Sequence, residues 1–300
     1  MTRSFTSATT LDEALAAITA GARPVAGGTD LVVGARQGKA PLPDAIVAID
    51  RIEELRVFDD DDDGGGVRLG ALVTHEALVG SEAIRSRYTA LADASAIVGS
   101  HATRANGTIG GNVMNASPAM DTGGPLLCFD ATVTLRSQAG EGSVPVGELW
   151  TGPGATSADA GEVLVAIELP EPAPGTGSAY VRLEYRRQME IAVVGATALV
   201  TLDGASVSDA RVAITALAPT IRRIEEAERA LAGSGGGEQA IAEAARAAAA
   251  GSEPISDVRA SADYRTAMAE VVARRAITAS ITRARGGDVP VPASDALYGT

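Results

Sequence analysis

The chain has 300 residues, of which 46% are hydrophobic and 21% charged, so it holds enough apolar material for a buried core. Its formal net charge of −13 disfavours nucleic-acid binding, which needs a basic face, and argues against anionic membrane surfaces. One cysteine and two histidines exclude an internal disulfide, a self-contained iron–sulfur cluster and an ordinary structural zinc site. Any redox chemistry in this chain therefore needs an organic cofactor, or metals held by another chain.

The length allows one large domain or two ordinary ones. No apolar run reaches the roughly 20 residues of a membrane span. The first ten residues lack the apolar region of a secretory signal. We therefore expect a cytoplasmic protein with no membrane span.

The N-terminal half is predicted to mix short strands with helices. Thr10 and Glu13 form a capping-box pattern, which predicts the start of a helix that ends at Gly21. Residues 59–63 are all aspartate and precede three glycines, a pattern that predicts a solvated hairpin loop because adjacent like charges resist burial. Further predictions are strands over 45–49, 67–72, 131–136 and 163–169, a helix cap at Thr74 and a helix over 90–98.

The C-terminal half is predicted to place strands before helices. The Pro/Gly-dense segment 170–177 is the predicted linker. After it, strands are predicted over 192–202 and 212–217, and helices over 221–231, 238–250 and 262–283. The apolar stripe of the last helix is predicted to contain Tyr264, Met268, Val271, Val272 and Ile281. Strands followed by helices favour an α+β fold over alternating βαβ units.

Two glycine loops, at Gly27–Gly28 and at Gly110–Gly111, are candidate anion sites. Successive backbone N–H groups in a turn can bind an anion without Lys or Arg, and glycine lets the backbone come close. Two such loops could clamp one diphosphate from two sides, although each loop alone is also typical of a plain turn. No G-x-G-x-x-G run follows a strand and no P-loop is present, so Rossmann and P-loop sites are disfavoured.

Four stretches resemble, in the same order, the FAD-binding medium subunits of the molybdenum hydroxylases, the xanthine dehydrogenase and aerobic carbon monoxide dehydrogenase family. They are residues 26–31 (AGGTDL), 102–121 (ATRANGTIGGNVMNASPAMD), 186–195 (RRQMEIAVVG) and 256–265 (SDVRASADYR). The resemblance implies an α+β fold. It would comprise an FAD-binding PCMH-type domain of the vanillyl-alcohol-oxidase/MurB kind over 1–176, a smaller α+β CO-dehydrogenase-flavoprotein C-terminal domain over 177–285 and a loose tail over 286–300.

The resemblance also implies a non-covalent FAD site, with no catalytic residue and no metal ligand in this chain. The first loop would wrap the FAD diphosphate and the second would face it from the other side, with Gly27, Gly28, Gly110 and Gly111 as the points where the backbone itself binds. Asp121 would accept from flavin hydroxyls, a role that suits a carboxylate, although it could instead cap the following turn. The predicted cofactor-binding set is Pro24, Val25, Ala26, Gly27, Gly28, Thr29, Asp30, Leu31, Val98, Thr108, Ile109, Gly110, Gly111, Asn112, Asp121, Leu164, Arg182 and Ile191.

The implied function is electron transfer within a complex. A Cys-rich small subunit would hold [2Fe-2S] clusters and a large subunit the molybdenum cofactor, as a dimer of heterotrimers, with NAD, oxygen or a quinone as final acceptor. A stand-alone flavin oxidase and a flavin-free scaffold subunit are the alternatives. His75 and His101 are interpreted as structural and Cys128 as a core residue. Gly110→Val is expected to abolish FAD retention while leaving the chain folded.

Overall fold

A computed structural model describes residues 3–38, 40–60 and 65–296; residues 61–64 of the predicted acidic loop and 297–300 of the predicted tail lie outside the described residues. The helices are α1 (Leu11–Thr19), α2 (Leu31–Arg36), α3 (His75–Gly80), α4 (Glu82–Arg87), α5 (Thr89–Ala96), α6 (His101–Asn106), α7 (Ile109–Asn115), α8 (Gly123–Cys128), α9 (Val146–Leu149), α10 (Glu225–Leu231), α11 (Glu238–Ala250), α12 (Ala262–Ala284) and α13 (Ala293–Ala296). The strands are β1 (Ser4–Ser7), β2 (Arg23–Val25), β3 (Ala45–Ala48), β4 (Phe58–Asp59), β5 (Val67–Gly70), β6 (Thr132–Ser137), β7 (Gly140–Pro145), β8 (Trp150–Gly152), β9 (Ala155–Thr156), β10 (Val163–Leu169), β11 (Thr176–Leu183), β12 (Val194–Asp203), β13 (Ser206–Thr215) and β14 (Arg222–Arg223).

A small parallel sheet carries the first glycine loop. Its strand order is β1-β3-β2, and α1 packs on it with Leu11, Leu15 and Ile18 buried. The predicted capping box is confirmed, because Thr10 accepts from the Glu13 N–H while the Glu13 side chain returns to the Thr10 N–H. The loop begins where β2 ends, so it lies at the carboxyl edge of this sheet.

A five-stranded antiparallel sheet of order β4-β5-β10-β6-β7 forms the second unit. The strands predicted near 67–72, 131–136 and 163–169 are present in it as β5, β6 and β10. Its core includes Ile109 and Val113 of α7, so the second glycine loop is anchored on this sheet. The pairing of β4 with β5 confirms the predicted hairpin on either side of the acidic run.

The third unit packs a four-stranded antiparallel sheet, β11-β12-β13-β14, against α10, α11 and α12. This arrangement confirms the α+β class. Helix α11 has the predicted bounds, whereas α10 begins at Glu225 rather than residue 221 because Arg222 and Arg223 pair with β13 as β14.

Two predictions for the C-terminal half need correction. The predicted stripe on α12 is right only in part, since Val272 and Ile281 are buried whereas Tyr264 and Val271 are exposed. The segment after residue 286 is not loose in its described part. Ala293 is fully buried and its N–H donates to Asp93 Oδ1 at 2.9 Å, while the Ser294 hydroxyl accepts from the Arg182 N–H at 3.2 Å.

Candidate functional site

The first loop leaves backbone donors open. Gly28 has φ +68°, a left-handed conformation that glycine adopts without strain. The N–H groups of Gly27, Gly28 and Thr29 donate to no other group within the described part of the chain. Because backbone N–H groups need a partner, these three donors fit an anionic ligand such as a diphosphate.

The backbone N–H groups of the second loop, unlike those of the first, donate hydrogen bonds within the protein. Thr108 caps α7 by accepting from the Gly111 N–H at 3.1 Å, and the Gly110 N–H donates to Ala71 O at 3.1 Å. A Cβ on Gly110 would lie 2.6 Å from that same oxygen. The structure therefore explains this glycine by close packing of α7 against residue 71. The N–H groups predicted to face a ligand at Gly110 and Gly111 are already engaged within the protein.

The two loops meet directly, although about eighty residues separate them in the sequence. A Cβ on Gly27 would lie only 1.8 Å from Asn106 O, so the backbones of the two loops touch there. The Thr29 hydroxyl lies 3.5 Å from the position that a Cβ on Gly107 would take. The structure thus brings together the two segments that the sequence singled out.

Asp121 and Arg182 form a buried ion pair. Arg182 Nη1 donates to Asp121 Oδ2 at 2.8 Å, and Tyr180 Oη donates to Asp121 Oδ1 at 2.7 Å. Glu184 contacts Arg182 Nε on the other side. Burial raises the pKa of Asp121, and the Arg182 charge and the Tyr180 hydroxyl offset part of that rise. Both carboxylate oxygens therefore already have protein partners. The predicted role of Asp121 towards flavin hydroxyls stays a prediction.

The other predicted residues lie around the second loop. The Val98 carbonyl accepts from Arg104 Nη1 at 3.2 Å. Leu164 is buried on β10, the strand against which α7 packs. Ile191 is 49% exposed, in a segment that the Met189 N–H ties to Gly99 O at 2.9 Å, next to Val98. The roles of these residues towards a cofactor stay predictions.

Sequence reasoning missed two buried polar residues near the site, Tyr180 and Arg104, and interpreted His75 as structural. Tyr180 lies two residues before Arg182 on β11, so strand alternation places both side chains on one face, a signal that was available. His75 is 1% exposed and its N–H donates to Gly107 O at 3.1 Å. Burial, helped by the charge of Arg104, lowers the pKa of His75 to about 4, so this imidazole is neutral at pH 7.

Two surface depressions in the described part of the chain lie away from the predicted cofactor residues. One of about 570 Å³ is lined by Arg223, Glu228 and neighbouring residues, and one of about 410 Å³ by Arg68, Glu168 and neighbours. No predicted cofactor residue lines either depression. Within the described ranges, no three His, Cys, Asp or Glu side chains group as a metal site. In the same part of the chain, no helix combines the length and apolar character that crossing a membrane would require.

Comparison with known proteins identifies the class. Residues 1–172 match the family described as the FAD binding domain in molybdopterin dehydrogenase. Residues 179–280 match the CO dehydrogenase flavoprotein C-terminal domain. The chain belongs to this family of FAD-binding oxidoreductase subunits, so the predicted family, fold class and cofactor are confirmed.

Individual relatives are similar over most of their length. The carbon monoxide dehydrogenase medium chain of Hydrogenophaga pseudoflava is 34% identical over 80% of this chain and 83% of its own. The xanthine dehydrogenase FAD-binding subunit of Escherichia coli O157:H7 is 29% identical over 88% and 90%. A solved structure of carbon monoxide dehydrogenase from Hydrogenophaga pseudoflava, lacking the Mo-pyranopterin moiety of its cofactor, superposes with TM-score 0.89 at 32% identity, covering 94% of this chain and 98% of that one.

Proposed function

We propose that this chain carries FAD as the electron-transfer subunit of a molybdenum-dependent hydroxylase or dehydrogenase complex. It would take electrons from [2Fe-2S] clusters on a small partner and pass them by way of FAD to NAD, oxygen or a quinone. The observation that carries the proposal is the contact between the two glycine loops, beside three open N–H donors at Gly27, Gly28 and Thr29. FAD, when bound, accepts electrons singly and releases them as a pair.

The side chains of this chain support non-covalent binding. Cys128 is fully buried, and burial raises the pKa of its thiol far above the usual range, so it is no nucleophile for a flavin. His75 is enclosed beneath the second loop. The backbone donors of the first loop, the Thr29 hydroxyl and Thr108 would hold and orient the diphosphate. The stand-alone oxidase alternative, with flavin attached through His or Cys, loses support from the burial of two of its candidate attachment points.

The names of the relatives are the basis for the proposed partner subunits. Several are the medium chain or one subunit of a dehydrogenase complex. With a single cysteine, this chain cannot supply the thiolates of an iron–sulfur cluster. We therefore assign the clusters to a Cys-rich small subunit and the molybdenum cofactor to a large subunit. A dimer of heterotrimers is the proposed assembly.

Gly27→Ala tests the loop pair. Its Cβ would lie 1.8 Å from Asn106 O, so the loops must separate, and we expect the affinity for FAD to fall at least tenfold in a fluorescence titration. Gly34→Ala is the matched control, because nothing lies within 4 Å of its Cβ and alanine suits the interior of α2. Circular dichroism of both variants verifies folding.

Two results would overturn the proposal. A folded Gly27→Ala chain with wild-type affinity for FAD would mean that the loop contact does not form the site. A wild-type chain that shows no flavin absorbance even after FAD is added would instead favour the flavin-free scaffold.

A further inference from the structure

Arg104 differs from the other buried arginines in its ionic partners. Arg182, Arg265 and Arg283 each donate to a carboxylate oxygen at 2.6 to 2.8 Å. Arg104, only 6% exposed, has its nearest carboxylate oxygen, on Glu76, at 3.7 Å from Nε, beyond hydrogen-bond distance. The Glu76 side chain is 53% exposed, so water screens its charge. Arg104 is thus the buried guanidinium whose charge is compensated least.

The hydrogen-bond partners of Arg104 are a backbone carbonyl and an imidazole nitrogen. Nη1 donates to Val98 O at 3.2 Å and Nη2 lies 3.0 Å from His101 Nδ1. Nε is buried and has no hydrogen-bond partner within the described residues. Burying a cation is costly unless an anion accompanies it, and the 3.7 Å pair with the half-exposed Glu76 offsets little of that cost, so a further negative charge nearby would stabilise Arg104.

The position of Arg104 identifies that anion by its chemistry. The residue lies on α6, three residues before Gly107, where the two glycine loops approach each other. The backbone N–H of His75 donates to Gly107 O. The positive charge of Arg104 helps to lower the pKa of the His75 side chain, so that imidazole is neutral at pH 7. The cation is therefore carried by the helix that leads into the loop contact, where we place the FAD diphosphate, the anionic part of that cofactor.

We propose that Arg104 is a positioning residue whose buried charge attracts the FAD diphosphate through the second glycine loop. The inference rests on the proposed FAD site and adds the source of its positive potential. In a chain of net charge −13, a local cation offsets the repulsion that a dianionic group would meet. Arg104 acts through the loop rather than by contact, because its side chain is only 7% exposed and its Nη1 and Nη2 already have partners within the protein.

Three variants of the full-length chain test the proposal, each freed of flavin and titrated with FAD. We expect Arg104→Met to weaken FAD binding at least tenfold. We expect Arg104→Lys, which keeps the charge but cannot reproduce the fork of hydrogen bonds, to remain within threefold of wild type. Glu76→Gln, which removes the nearest and mostly exposed carboxylate, should bind FAD as tightly as wild type or up to threefold more tightly.

The outcomes separate an electrostatic role from a merely structural one. Wild-type affinity in Arg104→Met, a tenfold loss in Arg104→Lys or a tenfold loss in Glu76→Gln would each overturn the inference. If Arg104→Met does not fold, the lysine and glutamine variants keep the inference falsifiable, because a tenfold loss in either would still overturn it. If the wild-type chain itself binds no FAD, the proposed function fails, and that result is distinct from all of these.

Discussion

At the scale of single residues, His75 shows what burial beneath the second loop does to a titratable group. Its side chain is almost fully enclosed, its Nδ1 has no hydrogen-bond partner in the described residues, and Arg104 lies close enough to disfavour a second positive charge. Both effects lower its pKa, from 6.5 to about 4. Protonating His75 therefore opposes folding.

This lowered pKa predicts a pH dependence of stability. At pH 7 His75 is neutral in the folded chain and mostly neutral in the unfolded one. As the pH falls through 6.5 the unfolded chain takes up a proton that the folded chain does not, so stability falls until the pH reaches about 4. One pKa unit corresponds to 1.36 kcal/mol, so His75 should contribute a loss of about 3 kcal/mol over that window. Urea unfolding at pH 7 and pH 4 should show a smaller loss in His75→Leu than in wild type. Equal losses would contradict the lowered pKa.

The glycines show how far residue-scale prediction reaches. The pattern correctly picked out Gly27 and Gly110 as positions where a side chain is not tolerated. The pattern could not show why a side chain is excluded, because the neighbour that excludes it is distant in the sequence. Gly27 faces Asn106 O, whereas Gly110 faces Ala71 O and is a packing residue. Gly110→Val would disturb that packing, so on the structure we expect the variant to destabilise the fold rather than to spare it.

At the scale of elements, α5, β11 and α12 are joined by one buried carboxylate. Asp93 on α5 accepts from Arg283 on α12 at 2.6 and 3.0 Å, and also from the Tyr180 N–H on β11 at 3.0 Å. The Asp93 side chain is fully enclosed and that of Arg283 is 9% exposed. Removing one partner would leave a buried charge without its counterion.

We expect Arg283→Met to lower the free energy of unfolding by about 3–5 kcal/mol, the usual cost of breaking a buried pair. Arg229→Met is the control, because its 2.7 Å pair with Glu226 is more than 60% exposed on both sides and should contribute less than about 1 kcal/mol. Denaturant unfolding of both variants measures the difference. Similar small losses in the two variants would show that the buried pair does not join these elements.

The buried face of a helix was harder to predict than the presence of the helix itself. The long helix was found because its length and the Ser261 cap are local signals. Its buried face was predicted only in part, because α12 also meets β11 through small residues. A Cβ on Gly177 would lie 2.3 Å from Ser280 O, so helix and strand backbones are nearly in contact. Where the two backbones cross, a larger side chain has no room, and the large apolar residues Val272, Ile277 and Ile281 are buried elsewhere along the helix.

At the scale of the whole molecule, the two predicted domains share a core. Tyr180, Leu199, Ala213 and Ile221 follow the predicted boundary at residue 176, yet they belong to the cluster built on the five-stranded sheet. The pairs of Asp93 with Arg283 and of Asp121 with Arg182 also cross that boundary. Sequence composition predicts a linker but carries no information on such long-range contacts. A cofactor seated in this fold should therefore be held only as long as the whole chain is folded.

The release of flavin on denaturation tests the central claim most directly. The purified full-length chain is saturated with FAD, desalted and precipitated with acid, and the supernatant is assayed for flavin by absorbance and chromatography. Binding by backbone donors, with Cys128 and His75 buried, predicts that about one FAD per chain appears intact in the supernatant. Flavin that stays with the precipitated protein, or a desalted chain that holds no flavin at all, would contradict the account.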